Sequence, residues 1–194
     1  MATDARESAL RLLNTLERKP QPLDDLLEAI HAQHPPMSHR DRSFFNALVY
    51  GVLRWRGQLD WIAAHFSNRR LEKIDSEVLN IIRLGLFQIV HLSRIPVSAA
   101  VNTSVEMVKR SEKHWAGGYV NAMLRAAATG FDAVPFPDER VDPIGALAVG
   151  KSFPTWLIDR WSRRYGRRTT ARSDDGRRVH AGRRMPVRSD RHAT

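Results

Sequence analysis

The stretch that most constrains the fold is IDSEVLNIIRLGLFQIVHLSRIPVSAAVNTSVEMVKR, residues 74–110. Wound at the helical 100° per residue, Val78, Ile81, Ile82, Gly85, Leu86, Ile89 and Val90 cover an arc of roughly 200°, and Glu77, Asn80, Arg83, Gln88 and His91 share the remaining face. A surface helix carries a narrower apolar stripe, so this one is expected to be the hub around which other helices pack. Asp75 is placed to cap it, its carboxylate accepting from the first free N–H groups and facing the positive end of the helix dipole. Arg94-Ile95-Pro96 stops it, because the residue before proline is pushed out of the α region. Pro96 is placed to open a second helix, in which Ala99, Ala100, Val101, Val105 and Val108 recur at helical spacing.

The preceding segments repeat this pattern. Asp4 to Lys19 reads as an amphipathic helix with Ala9, Leu12, Leu13 and Leu16 on one side and Glu7 three residues after Asp4. Pro22 is expected in the first turn of the next helix, LDDLLEAIHAQ, which His34-Pro35-Pro36 ends. Ser38-His39-Arg40-Asp41 is a capping box that launches DRSFFNALVYGVLRWRGQLDWIAAHF. Gly51 in that segment is expected to mark a close helix contact, and Gly57 a kink or turn. After a polar loop over 111–118, GYVNAMLRAAATG closes the bundle, with Gly130 as its C-cap. No segment shows sustained period-two alternation, so the expected class is all-α, with one bundle over 5–130. Residues 131–150 read as a proline-rich linker lying over the bundle. SFPTWLIDRWSRRYG then offers a short helix with Trp156, Leu157 and Trp161 on its apolar side.

The net charge of +10 over 194 residues suggests a polyanionic partner, but its distribution is uneven. Residues 1–161 hold 20 Lys+Arg against 18 Asp+Glu, and residues 162–194 hold 11 against 3. Beyond Gly166 the sizeable apolar residues are Val179, Met185 and Val187, too few to offset chain entropy, so residues 167–194 are expected to be a disordered basic tail. Its Arg, Ala, Gly, Ser, Thr and Pro mixture is also what a GC-rich frame displaced by one nucleotide yields. The N-terminus MATDARESAL lacks a signal-peptide pattern, and the hub is too short and too polar to cross a bilayer, so a cytoplasmic location is expected.

Few catalytic arrangements are open to such a chain. Zero cysteines exclude disulfides, thiolate metal ligands and a cysteine nucleophile. His31 and His34 run into Pro35-Pro36 and read as solvated side chains rather than a zinc site. Asp24 with Asp25, and Asp138 with Glu139, are adjacent pairs that do not converge as a catalytic dyad, and the phosphate-loop and nucleophile-elbow motifs are missing. The remaining signal is basic: Arg69, Arg70 and Lys73, with Lys109, Arg110 and Lys113, stand at helix ends near the hub, where they either bind phosphates or are simply solvated. Arg6 and Arg11 on the first helix share that ambiguity.

LNIIRLGLFQIVHLSRIPVSAAVNTSVEMVKR followed by GYVNAMLR resembles the NusB/RsmB family, the RNA-binding helical domain of antitermination factors that also stands at the N-terminus of ribosomal RNA cytosine-5 methyltransferases. DRSFFNALVYGVLRWRGQLDWI, the V-N-A-x-L-R motif ending at Arg125, and SFPTWLIDRWSRRYG place the resemblance closer to the methyltransferase branch, over residues 5–166. Thr103 departs from it, standing where the family has Glu. The resemblance implies that 151–166 begins the next methyltransferase subdomain, and that Arg6 holds the basic position of the first helix near which such domains contact RNA. Lys73, Lys109, Arg110 and Lys113 are charge-based candidates beside it. The S-adenosylmethionine site and the attacking cysteine of that family would lie beyond Gly166, so this chain is expected to bind small-subunit ribosomal RNA without a cofactor and without catalysis. The rival expectations are an antitermination factor, or a protein-interaction module that binds no RNA.

Overall fold

The computed structural model describes residues 4–33 and 37–165. The break at His34-Pro35-Pro36 and the tail over 167–194 lie outside the described residues. Among them all regular structure is helical: α1 (Ala5–Arg18), α2 (Leu23–Gln33), α3 (His39–Arg54), α4 (Arg56–Phe66), α5 (Ser76–His91), α6 (Val97–Arg110), α7 (Gly117–Gly130), α8 (Pro143–Lys151) and α9 (Thr155–Tyr165). Three short 3-10 turns, Leu71–Lys73, His114–Ala116 and Phe131–Ala133, join them.

The hub is α5, which packs against α1, α3, α4, α6 and α7. Its caps are the ones the sequence signals. Asp75 accepts from the Glu77 N–H at 3.0 Å, just as Ser38 Oγ accepts from the Asp41 N–H at 3.1 Å at the start of α3 and Asp4 from the Arg6 N–H at 3.0 Å at the start of α1. Each satisfies an N–H that the first helical turn leaves without an intrahelical acceptor. The polar side of α5 is no solvent face: Asn80, Arg83 and Gln88 are buried as deeply as the leucines. Arg83 makes a two-pronged contact with Asp60, Nε to Oδ1 at 2.7 Å and Nη2 to Oδ2 at 2.8 Å, and its Nη1 reaches Glu17 at 3.1 Å and Asn80 at 2.9 Å. Asn80 in turn donates to Asn14 on α1 at 2.9 Å. A 3.6-residue pattern separates apolar from polar faces but does not say whether a polar face meets water or another polar face.

Glycine marks the tightest approaches. A Cβ on Gly51 would stand 1.9 Å from Phe87 Cζ, and one on Gly85 would stand 2.7 Å from Leu124 Cδ1 and 2.8 Å from Ser104 Oγ. The expected kink at Gly57 lies instead at Trp55, which sits between α3 and α4 with φ −104° and ψ 15°, while Gly57 is inside α4. Gly57 serves a different contact: a Cβ there would come 3.2 Å from Ser152 Cα.

Ser152 belongs to the stretch joining α8 to α9, and here the expectation of a linker over 131–150 meets a correction. Pro143–Lys151 is helical, with Pro143 at its start and Asp142 accepting from the Gly145 N–H at 2.8 Å. The apolar residues of PIGALAVGK are too small and too unpatterned to advertise a helix, yet they pack on α4. Ser152 ends α8 in the left-handed conformation, φ 54°, and its Oγ accepts from the Gln58 N–H at 2.9 Å, capping α4 where Trp55 offers no side-chain cap. Arg54 adds a hydrogen bond to the Lys151 carbonyl and lies over the Phe153 ring, 5.1 Å from its centroid. In α9 the buried residue is Ile158, whereas Trp156, expected on the apolar side, is 66% exposed. Pro22 precedes α2 rather than standing in its first turn, and Gly130 is the last residue of α7.

Candidate nucleic-acid interface

Arg6 lies in the first turns of α1, where Ala5, Ala9, Leu12 and Leu13 face the core and draw the arginine against α5. Its Nε donates to Gln88 Oε1 at 2.8 Å, and the buried Gln88 amide donates to the Leu84 carbonyl at 2.9 Å. Its guanidinium lies over the Phe44 ring, 4.8 Å from the centroid. Only 16% of the side chain is exposed, and the carboxylate paired with it, Asp4, stands at 3.9 Å. This is a largely desolvated cation held closely by a neutral amide and a ring and more loosely by one carboxylate.

Arg6 forms part of the wall of a cleft of about 850 Å³ to which Arg40, Arg94, Phe44, Leu92 and Ile95 also contribute. Two helix ends build this cleft. Arg40 follows the Ser38 cap into α3, and Arg94 sits where Pro96 halts α5. Both are exposed, and neither pairs with a carboxylate among the described residues. The carboxylate in the wall, Asp41, is engaged by Ser38 Oγ at 2.7 Å. Sequence inspection treats Arg40 and Arg94 as parts of helix punctuation; the signal that could have raised them is that both cap segments carry an arginine at a helix end next to the hub.

His91 ends α5 at the edge of the same cleft. Its ring stacks on Trp55 with centroids 4.9 Å apart, sits 5.3 Å from Phe87, and its Nε2 is 3.1 Å from Gln58 Oε1. Burial pushes its pKa down to about 4 from the ordinary 6.5. The folded state therefore takes up this proton less readily than the unfolded chain, so its contribution is fully present above pH 6.5 and is lost as pH falls from there toward 4. The loss should reach roughly 2 kcal/mol near pH 4 once screening of a ring still partly in contact with solvent is allowed for. Urea unfolding of wild type and His91→Phe at pH 7 and pH 4.5 checks this: the phenylalanine variant should lose less stability across that interval, and equal losses would remove His91 as the cause.

The other expected contacts with RNA are placed elsewhere. Lys109, Arg110 and Lys113 are brought together at the end of α6 and the turn beyond it, each beside an acid: Lys109 pairs with Glu106 at 3.0 Å, Arg110 with Glu7 at 2.8 Å and Lys113 with Asp75 at 3.1 Å. Burial tends to raise the Asp75 carboxyl, but the hydrogen bond from Lys113 and the Glu77 N–H outweigh it and hold it below its ordinary value. Lys113 thus clamps the α6–α7 connection to the start of the hub. Arg110 remains 68% exposed, and Trp115 beside this group is exposed as well, an aromatic that the sequence did not single out. Lys73 ends the turn Leu71–Lys73 and lines a separate shallow surface with Arg69 and Arg70, while Arg69 also lies 5.9 Å from the Tyr119 ring centroid. Arg6 stands on α1 and Arg110 pairs with the next residue of that helix, Glu7, but the two arginines line different clefts. Among the described residues no group of His, Asp or Glu could hold a metal ion, and no helix is long and apolar enough to cross a membrane.

Comparison with known proteins places this arrangement. Residues 3–129 match the model of the NusB family. The chain is 32% identical over 164 residues to the probable ribosomal RNA small subunit methyltransferase B of Bacillus subtilis, a match that takes in 84% of this chain and 36% of that protein. It is 30% identical over 168 residues to the corresponding protein of Synechocystis, covering 86% of this chain and again 36% of the relative. The transcription antitermination protein NusB of Ruminiclostridium cellulolyticum is 31% identical over 130 residues, 65% of this chain and 87% of that protein. The chain therefore spans about a third of the methyltransferases it matches and most of the antitermination protein. With the all-helical bundle around α5, these matches show that the chain belongs to the NusB family.

Proposed function

We propose that this chain binds RNA, as the accessory domain of a small-subunit ribosomal RNA (cytosine-5) methyltransferase, and that it carries neither the cofactor nor the catalytic step. The observation that carries the proposal is the cleft between α1, α3 and the α5–α6 connection, whose wall holds Arg6, Arg40 and Arg94: Arg40 and Arg94 pair with no carboxylate among the described residues, and Arg6 meets Asp4 at 3.9 Å. Exposed guanidiniums without an acidic partner, as at Arg40 and Arg94, are what phosphate binding uses. The relatives support RNA as the partner: the methyltransferases are named for ribosomal RNA. They also favour the methyltransferase branch over antitermination, because those matches cover 84% and 86% of the chain and so extend beyond residues 3–129 into α8 and α9. Catalysis by a cysteine is outside this chain's means, since it has none. The cytoplasm, where ribosomal RNA is modified, is the compartment that fits.

Fluorescence anisotropy with fragments tiled across small-subunit ribosomal RNA, against shuffled sequences of equal length at moderate salt, tests this. One or more ribosomal fragments should bind at least about tenfold more tightly than their shuffled counterparts. Equal affinity for all fragments, falling steeply with salt, would reduce the binding to bulk charge.

A further inference from the structure

We propose that the outer face of α9 is a stacking platform for one unpaired RNA base, with the Trp156 indole beneath the base and Arg160 and Arg164 against the adjoining phosphates. This rests on the RNA-binding reading and adds a second contact outside residues 3–129, the part that matches the family model. At the helical 100° per residue, Trp156, Arg160, Arg163 and Arg164 share an arc of about 100°. Leu157, Ile158 and Trp161 fall on another arc, where Ile158 is buried and Trp161 meets the Phe153 ring at 5.7 Å. Trp156 thus stands among arginines on the side of α9 that the bundle does not use. Leaving so large a ring in water forgoes its burial, so folding gains nothing from its position.

The chain has five tryptophans, and three of them are engaged. Trp55 stacks on His91, Trp161 meets Phe153, and Trp61 donates its Nε1–H to the Pro135 carbonyl at 3.1 Å. The side chains of Trp115 and Trp156 make no ring contact or hydrogen bond among the described residues, and both are exposed. The charge beside them tells the two apart. Near Trp115, Lys109, Arg110 and Lys113 each have an acid as partner, so a phosphate there must compete with a carboxylate. On α9 only Arg163 is so engaged, by Asp159 at 2.8 Å. Arg160 and Arg164 are exposed and pair with no carboxylate among the described residues; Arg164 lies over the Tyr165 ring, 5.5 Å from its centroid. A free aromatic face with unpaired guanidiniums one and two turns along the helix suits a ligand that is flat at one end and anionic at the other. A nucleotide is such a ligand, and its base must be unpaired, because a duplex hides the faces of its bases.

The test uses the full chain, fluorescein-labelled octauridylate, and an octamer of the same backbone whose sugars carry no base. Trp156→Ala should bind octauridylate about tenfold more weakly with an unchanged slope of log affinity against log salt, because stacking releases no counterions. Trp156→Phe should stay within about threefold of wild type, and Trp115→Ala within about twofold. Arg160→Ala and Arg164→Ala should each lower the salt slope by about 0.7 on both octamers. On the baseless octamer, Trp156→Ala and wild type should bind alike. If Trp156→Ala binds octauridylate as wild type does, or loses as much on the baseless octamer, the platform is wrong while RNA binding stands. A polyglutamate peptide whose binding depends equally on Trp156 would assign the face to an acidic protein and overturn the proposal. If wild type binds neither octamer, nor any ribosomal fragment at moderate salt, RNA binding falls and the platform with it.

Discussion

Replacing Arg83 by leucine should cost about 3 kcal/mol of stability and lower the melting temperature by roughly 6–12 °C. The side chain is almost wholly buried on the hub helix, and four hydrogen bonds tie it to Asp60, Glu17 and Asn80. Removing it strands two carboxylates that are each only 27% exposed, together with the Asn80 oxygen. Leucine fills much of the volume but offers them no donor, and unpaired buried charge is the costly outcome. Arg56 limits the damage, since it already reaches Glu17 at 2.6 Å and Asp60 at 4.0 Å. Arg83→Lys keeps the charge but loses the two-pronged geometry, so its loss should be smaller. Urea midpoints for the two variants give the answer: a leucine variant within 1 kcal/mol of wild type, or one no worse than lysine, would mean that the network holds little of the fold.

That network also shows where sequence inspection stops. The broad apolar arc of 78–90 was enough to place α5 at the centre, and the caps at Asp4, Ser38 and Asp75 fell where side-chain chemistry demanded them. Local rules suffice for these because the atoms that satisfy each other are two or three residues apart. The carboxylate partners of Arg83 are 23 and 66 positions away, and nothing local distinguishes a buried arginine from a solvated one. The same limit explains Trp55 and Gly57. A glycine within a helical pattern reads as a break, but Gly57 is small because Ser152 crosses it from 95 positions away, and the break was left to the tryptophan.

At the candidate site, Arg6 was reached through resemblance, and its neighbours Arg40 and Arg94 were not reached as binding residues at all. Each belongs to a segment whose primary message is where a helix starts or stops. Their convergence depends on the packing of α1 against both α3 and α5, a property of the whole bundle. Charge clustering along the chain pointed instead to Lys109, Arg110 and Lys113, which the fold brings beside Glu106, Glu7 and Asp75. Two of those three acids are distant in sequence, so the neutralisation was invisible until the helices were in place.

Gly51→Ala should destabilise the chain by about 2–3 kcal/mol, although on an exposed helix the same change adds up to ~1 kcal/mol through helix propensity. The sign reverses because the new methyl would stand 1.9 Å from Phe87 Cζ and 2.4 Å from both Cε atoms, and Phe87 is buried on the hub. The ring must turn or α3 must lift from α5, and either movement disturbs the His91 ring 5.3 Å away. Phe87→Leu alone should cost roughly 1–2 kcal/mol by leaving a cavity at the ring tip. In the double variant that cavity is where the alanine methyl goes, so the two losses should fall well short of adding, with a coupling of about 1–2 kcal/mol in favour of the pair. Urea unfolding of the four proteins closes the cycle. Strict additivity, or a Gly51→Ala variant as stable as wild type, would show that α3 and α5 can separate at this point without cost and that the close approach is not what positions the helix carrying Arg40 and Phe44.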